Sequence, residues 1–318
     1  MNNFISLIEK LRKLNPDEIG KFAFEEAMKM IEAPQKSLIS SLAERIYTHP
    51  NFLSDVSYHN HHHAAEATLS AAFLLAHEYD SANQEDKNKL KRYGPYLIIA
   101  MLAHDFGHPG RTNASFRELE WGSVHLLEEV VDNLKEDLLS ENKVQSAQAL
   151  DEMMPILREI IIYTEFSQGP KENYKAYFSS INLPNDLDKL RTLANEADVL
   201  CSMLADTGPE RGRFLAEEWS NKNAGTYKGR LGFLKFLEQQ NYYSTSASEK
   251  LNLKAYLSNQ IKAIESLDVN YLDSLEISQA DQLVVNKLKE YSINNNNKKD
   301  WSEKLSLIKH QKINTKID

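Results

Sequence analysis

The chain has 318 residues, 42% hydrophobic and 26% charged, with a formal net charge of -9. This is globular composition with enough apolar residues for a sizeable core, and the acidic balance argues against a nucleic-acid partner because the surface as a whole repels phosphates. The lone Cys201 excludes an internal disulfide. No apolar run approaches the ~20 residues of a membrane span, and MNNFISLIEKLRKL lacks the basic leader of a signal peptide. The expected location is therefore the cytoplasm.

With only 11 Gly and 9 Pro, and hardly any alternating β-branched runs, the sequence predicts an all-α fold, a compact multi-helix domain. Apolar residues at helical spacing run from Phe4 to Leu14, Ile19 to Ile31 and Leu38 to Ile46. A loop around His49 and Pro50 leads to YHNHHHAAEA and then to the Ala-rich AAEATLSAAFLLAHEY, strongly helical by propensity. The polar SANQEDKNK separates it from PYLIIAMLA, a buried helix that runs into His104 and Asp105. Further helices are expected over Leu119 to Leu139, Met153 to Phe166 and, after Pro184-Asn185, Leu187 to Leu204. The loop NAGTYKG precedes LGFLKFLEQQ. A single domain over residues 1–290 is expected, followed over 291–318 by a polar connection around SINNNNKKD and a short helix from Trp301 to Ile308.

Nine of the ten histidines lie between His49 and His125. Isolated His49, His77 and His310 read as surface or core residues, and so do His61 and His62, since consecutive helical residues point in different directions. His59 and His63 differ: placed on one helix as an i, i+4 pair, they project both imidazoles from one face. His104 and Asp105 follow eight apolar or aromatic residues from Tyr96 to Ala103, and Asp198 stands among Ala194, Ala197, Val199 and Cys201. A carboxylate leaving the core calls for a positive partner. His63, His104, Asp105 and Asp198 make a two-His, two-carboxylate set suited to Zn²⁺, Mn²⁺ or Fe²⁺. A carboxylate shared with a second ion would give the two-metal arrangement of phosphohydrolases, in which a bridging hydroxide attacks phosphorus.

The adjacent His104-Asp105 with ligands on either side resembles the HD-domain metal-dependent phosphohydrolase superfamily. More narrowly, Tyr58-His59-Asn60 followed by His63-Ala64 matches the Y-H-N-x-x-H-A motif of class I 3′,5′-cyclic nucleotide phosphodiesterases. AHDFGHPGRTN, with His104, Asp105, His108 and Asn113, matches their H-D-x-x-H-P-G-x-x-N, and Ala197-Asp198 matches a later Ala-Asp pair. The resemblance runs from about Tyr58 to Phe233 and implies a small-molecule nucleotide substrate, cAMP or cGMP, opened to the 5′-monophosphate. His63, His104, Asp105 and Asp198 would hold a tight metal, zinc, with Asp105 bridging to Mg²⁺ or Mn²⁺. His59 would be the general acid and His108 would organise the waters on the metals. Asn60, Asn113, Glu120 and Thr164 would support the ligands from behind, with His125 as a competitor if the register shifts. Tyr58, Phe233 and Arg230 would line the substrate site.

Three departures from the family are visible, one of them a loop between Trp219 and Arg230 that is shorter than in its animal members. Thr164-Glu165 stands where the family has Thr-Asp, and Arg230-Leu231-Gly232-Phe233 where it has Gln followed three positions later by Phe. Arg has donors only and cannot replace the donor-acceptor pair of a Gln amide. Arg230 would then read a guanine-type edge, hold a further phosphate or lie on the surface. This keeps open a different nucleotide or phosphoester as substrate, with a non-catalytic metal-binding helical module as a third reading. Nothing in the sequence sets an oligomeric state.

Overall fold

Several helices start where a side chain satisfies their free N–H groups. In the computed structural model, which describes residues 4–32, 37–166 and 188–294, α1 (Phe4–Leu11) ends at the turn before Asn15, and α2 (Pro16–Met30) opens with Pro at its first position. The Glu18 carboxylate returns to accept from the Asn15 backbone N–H at 3.2 Å. Then come α3 (Ser37–Tyr47), a 3₁₀ turn at Pro50–Phe52, α4 (His61–Ser81), α5 (Gln84–Ala103), α6 (Glu118–Ser140), α7 (Val144–Ile161) and a 3₁₀ turn at Ile162–Thr164. The chain continues with α8 (Asp188–Asp198), α9 (Leu200–Met203), α10 (Gly208–Glu218), a 3₁₀ turn at Lys222–Gly225, and α11 (Tyr227–Gln239). It closes with α12 (Ser246–Lys250), α13 (Leu253–Leu267), α14 (Val269–Asp273) and α15 (Ile277–Asn294).

Among the described residues there is no strand, as the all-α expectation requires. No helix among them is long and apolar enough to cross a membrane.

Helix α4 is the spine. It is buried from His63 to Leu75, and its alanines let α2, α5 and α8 approach closely. The C-terminal half of α5, Leu97 to Ala103, is likewise buried, and so is His104, which caps the helix directly after it. Together α4, α5 and α8 bring His63, His104, Asp105 and Asp198 to one place.

Several expected boundaries shift for local reasons. Residues 84–89 of the polar stretch are the first turns of α5 rather than a separator: Asn83 Oδ1 accepts from the Asp86 N–H at 2.9 Å, and Glu85 and Asp86 face the positive helix end. The expected helix from Leu187 to Leu204 breaks at Val199 into α8 and α9. Residues 12–14, expected to be the last turn of α1, form a non-helical turn after it. Helix α15 continues to Asn294, into the stretch expected to be a connection, while Trp301 to Ile308 and Pro184 to Leu187 lie outside the described residues.

Candidate metal and active site

The segment before α4 is built by Asn60. Its Oδ1 accepts from the N–H groups of His62 (2.9 Å) and His63 (3.3 Å), and its amide donates to the carbonyls of Val56 (2.8 Å) and Ser57 (3.1 Å). Asn60 is thus the N-cap of α4, and His59 lies outside the helix. This corrects the expectation of a shared helix face for His59 and His63. Their rings still meet edge to face, with centroids 5.7 Å apart.

His63 and His104 are buried, and their Nε2 atoms lie 3.3 Å apart. Asp105 Oδ2 is 3.1 Å from His63 Nε2 and 3.2 Å from His104 Nε2; Asp198 Oδ1 is 2.9 Å and 3.1 Å from the same atoms. His104 Nδ1 donates to the Met101 carbonyl at 2.8 Å, which leaves Nε2 as the lone-pair nitrogen of the neutral ring. Burial opposes charge on His63, yet the carboxylates of Asp105 and Asp198 beside it push it up to about 9, and burial opposes ionisation of Asp198 while His104 and His63 bring it down to about 2.

This set fits a divalent cation. The four donor atoms lie within 4.8 Å of one another, and separations of 2.9–3.3 Å are those of neighbouring ligands on a metal with bonds of about 2.0–2.2 Å. Asp105 Oδ2 is buried yet accepts no hydrogen bond despite its two close nitrogens, the relation of co-ligands rather than of a paired acceptor.

Beside this centre His59, His108 and Glu218 form a second group. His59 Nδ1 is 2.5 Å from Glu218 Oε1, and Glu218 Oε2 accepts from the N–H groups of Tyr58 (2.7 Å) and His59 (2.9 Å). The His108 ring stacks on His59 at 3.8 Å, and its Nδ1 accepts from the Gly110 N–H at 3.1 Å. Burial pulls His108 down to about 4, so the ring is neutral with its proton on Nε2. Gly107 makes the turn that presents His108: its φ is 73°, and a Cβ there would lie 2.4 Å from Leu126 Cδ1.

The solved phosphodiesterase domain of Salpingoeca rosetta rhodopsin phosphodiesterase matches with a TM-score of 0.55 and 18% identity, over 82% of this chain and 91% of that one. The chain has a phosphodiesterase-domain fold. A curated relative, the cGMP-specific 3′,5′-cyclic phosphodiesterase gamma of Plasmodium yoelii, is 24% identical over 186 residues, which is 55% of this chain and 23% of that protein. The chain thus matches less than a quarter of the relative's length. No protein-family model matches it.

Within this phosphodiesterase-type fold the remaining expected residues fall as follows. Asn113 donates to both Glu120 oxygens, at 3.3 and 3.1 Å, and accepts from the Leu119 N–H at 2.7 Å. Burial pushes the Glu120 carboxyl up to about 7, with the charges of Asp105 and Glu165 adding to the rise. Thr164 spends its hydroxyl on the Ile161 carbonyl at 2.8 Å, whereas Glu165 is buried behind it. His125 is exposed and pairs with Glu128, which removes it as a competitor.

Tyr58 OH is 2.8 Å from Ser202 Oγ, and both residues line a cavity of about 120 Å³ with Phe233, Arg211 and Arg230. Arg230 is neither surface residue nor free cation: it is 7% exposed and bonded to three backbone carbonyls and Gln260. Glu218, Ser202 and Trp219, whose ring centroid is 6.1 Å from His59, were not legible from motifs. Glu218 lies 159 residues from His59 and Ser202 lies 144 residues from Tyr58.

Proposed function

We propose that the protein is a metal-dependent phosphodiesterase that hydrolyses a 3′,5′-cyclic nucleotide, cAMP or cGMP, to the 5′-monophosphate. His63, His104, Asp105 and Asp198 would hold a Zn²⁺ ion, and Asp105 would be shared with a second ion, Mg²⁺ or Mn²⁺. When bound, the ions supply Lewis-acid stabilisation of the phosphoryl oxygens and make water a better nucleophile.

The protein's own part is proton delivery and orientation. Glu218 accepts from Nδ1–H of His59, so a protonated His59 carries its transferable proton on Nε2. As the P–O3′ bond breaks, O3′ takes that proton while the oxygen of water forms the new P–O bond, and the proton that water releases passes to solvent, from which His59 is reprotonated. His108, stacked on His59 and carrying its N–H on Nε2, would orient water. Asn60 fixes the backbone of the acid and of a ligand together, and Asn113 holds Glu120 in place. The cavity with Tyr58 and Phe233 would take the base, an aromatic ring in a mainly apolar slot.

The observation that carries this reading is a His–Glu pair, His59 with Glu218, set beside a fully assembled two-His, two-carboxylate donor set. A different phosphoester as substrate drew its motive from a free Arg230, and that guanidinium is committed inside the fold. The test is incubation of purified protein with cAMP and cGMP in Mg²⁺ or Mn²⁺, with products separated by chromatography. Formation of 5′-AMP or 5′-GMP is expected; turnover of a non-cyclic phosphoester alone would redirect the assignment to another phosphohydrolase.

A further inference from the structure

Helix α9 is one turn long and ends among buried residues, so its last carbonyls need partners from elsewhere in the chain. Arg230 supplies them. Its Nη1 donates to Ser202 O at 3.1 Å, and its Nη2 donates to Met203 O and Leu204 O at 3.1 Å and to Gln260 Oε1 at 2.9 Å. Gln260 completes the arrangement by donating to Met203 O at 2.9 Å. Gly208, the first residue of α10, leaves the room this needs: a Cβ there would lie 2.2 Å from both Arg230 Nη1 and Ser202 O.

The segment held in this way has a second side. Ser202, whose carbonyl Arg230 binds, meets the Tyr58 hydroxyl through its side chain at 2.8 Å, and the Tyr58 ring lies 4.7 Å from the ring of His63. Helix α9 also begins two residues after Asp198. Phe233 is one turn along α11 from Arg230 and lines the same cavity as Tyr58 and Ser202.

We infer that Arg230 is a positioning residue: through Ser202 it sets the Tyr58 wall of the nucleotide cavity, and it takes no part in recognising the base. This rests on the cyclic-nucleotide reading above. A guanidinium with both terminal nitrogens bonded to protein acceptors would have to abandon them to reach a ligand, giving up the bond to Ser202 O outright, while Met203 O keeps Gln260 and Leu204 O keeps the Gly208 N–H. Discrimination between adenine and guanine must then come from other groups around the cavity.

The test is Arg230→Gln, followed by steady-state kinetics on both nucleotides and by amide hydrogen exchange. A loosened Tyr58 wall weakens binding, so KM should rise for cAMP and cGMP alike, on the order of tenfold, with kcat changing by less than about threefold. Exchange over residues 200–208 should accelerate, on the order of tenfold or more, whether or not the enzyme turns over. Arg230→Lys, which keeps the charge but cannot span the carbonyls, gives an intermediate effect and serves if Arg230→Gln does not fold.

A KM change confined to one nucleotide would mean that Arg230 reads the base, and a fall in kcat at constant KM would reduce it to a structural residue; either overturns the inference. Unchanged exchange over 200–208 overturns it as well. Wild-type protein inert on both nucleotides would contradict the proposed function instead, and the exchange measurement would still decide the clamp.

Discussion

Glu218 holds His59 at both its ring and its backbone: Oε1 is 2.5 Å from Nδ1, and Oε2 is 2.9 Å from the amide nitrogen. One carboxylate at the end of α10 therefore fixes the position and tautomer of a histidine 159 residues away. Glu218→Gln keeps the shape but loses the negative charge that supports an imidazolium. It is expected to lower kcat by about 10²-fold, within the range of general acid catalysis, with a smaller change in KM. Steady-state kinetics on the variant decide it, and an unchanged kcat would remove Glu218 from proton delivery.

Asp198 Oδ1 lies beside the Nε2 atoms of both His63 and His104, at 2.9 and 3.1 Å. Asp198→Ala should lose the tightly held ion, read as metal content after gel filtration. The wild-type thermal midpoint should fall on chelation and recover on adding Zn²⁺, because binding to the folded state alone stabilises it. Full retention of metal by the variant would show that the ion sits elsewhere.

Glu120 gives a pH signature in the chelated protein. Its folded carboxyl is raised from the usual 4.5 to about 7, first by burial. The folded state therefore holds this proton better than the unfolded state, so the associated stabilisation is complete below 4.5 and is lost as pH rises through about 7. Glu120→Gln removes that loss. Urea unfolding should show the variant gaining on wild type between pH 4.5 and 7, and parallel pH profiles for the two proteins would contradict it.

Glu66 lies one turn beyond His63 on α4 and is 1% exposed. It pairs with buried Arg211 and sits 3.6 Å from Arg12 Nε. Glu66→Gln leaves Arg211 charged and uncompensated, and should cost about 3 kcal/mol in urea unfolding, as breaking a buried pair does. A loss below about 1 kcal/mol would show that water reaches the site.

The lines of the fold that reach the site were legible wherever pattern and packing agree. Continuous apolar sequence from Tyr96 to Ala103 marks a buried helix end, and His104 and Asp105 stand just past it. The spacing of His59 and His63 misleads, because Asn60 competes for the helix start with its side chain and wins as N-cap. The polar run from Gln84 was a missed helix opening, although Asn83 and the two acids after it are its ordinary signal. Glu218 and Ser202 were not legible: their partners His59 and Tyr58 are joined to them by tertiary packing alone. Arg230 could be seen as unusual, but only the carbonyls of α9 explain it.

The central claim is that His59 delivers a proton to the leaving oxygen of a cyclic nucleotide beside a metal centre that it does not itself ligate. The direct measurement compares wild type with His59→Ala for hydrolysis of cAMP and cGMP in Mg²⁺ or Mn²⁺, with tightly bound metal quantified in both proteins. Expected are 5′-monophosphate from wild type, a fall in kcat of about 10²-fold or more in the variant, and equal metal content. Wild-type protein that carries metal yet leaves both nucleotides intact, or a variant as fast as wild type, would contradict it.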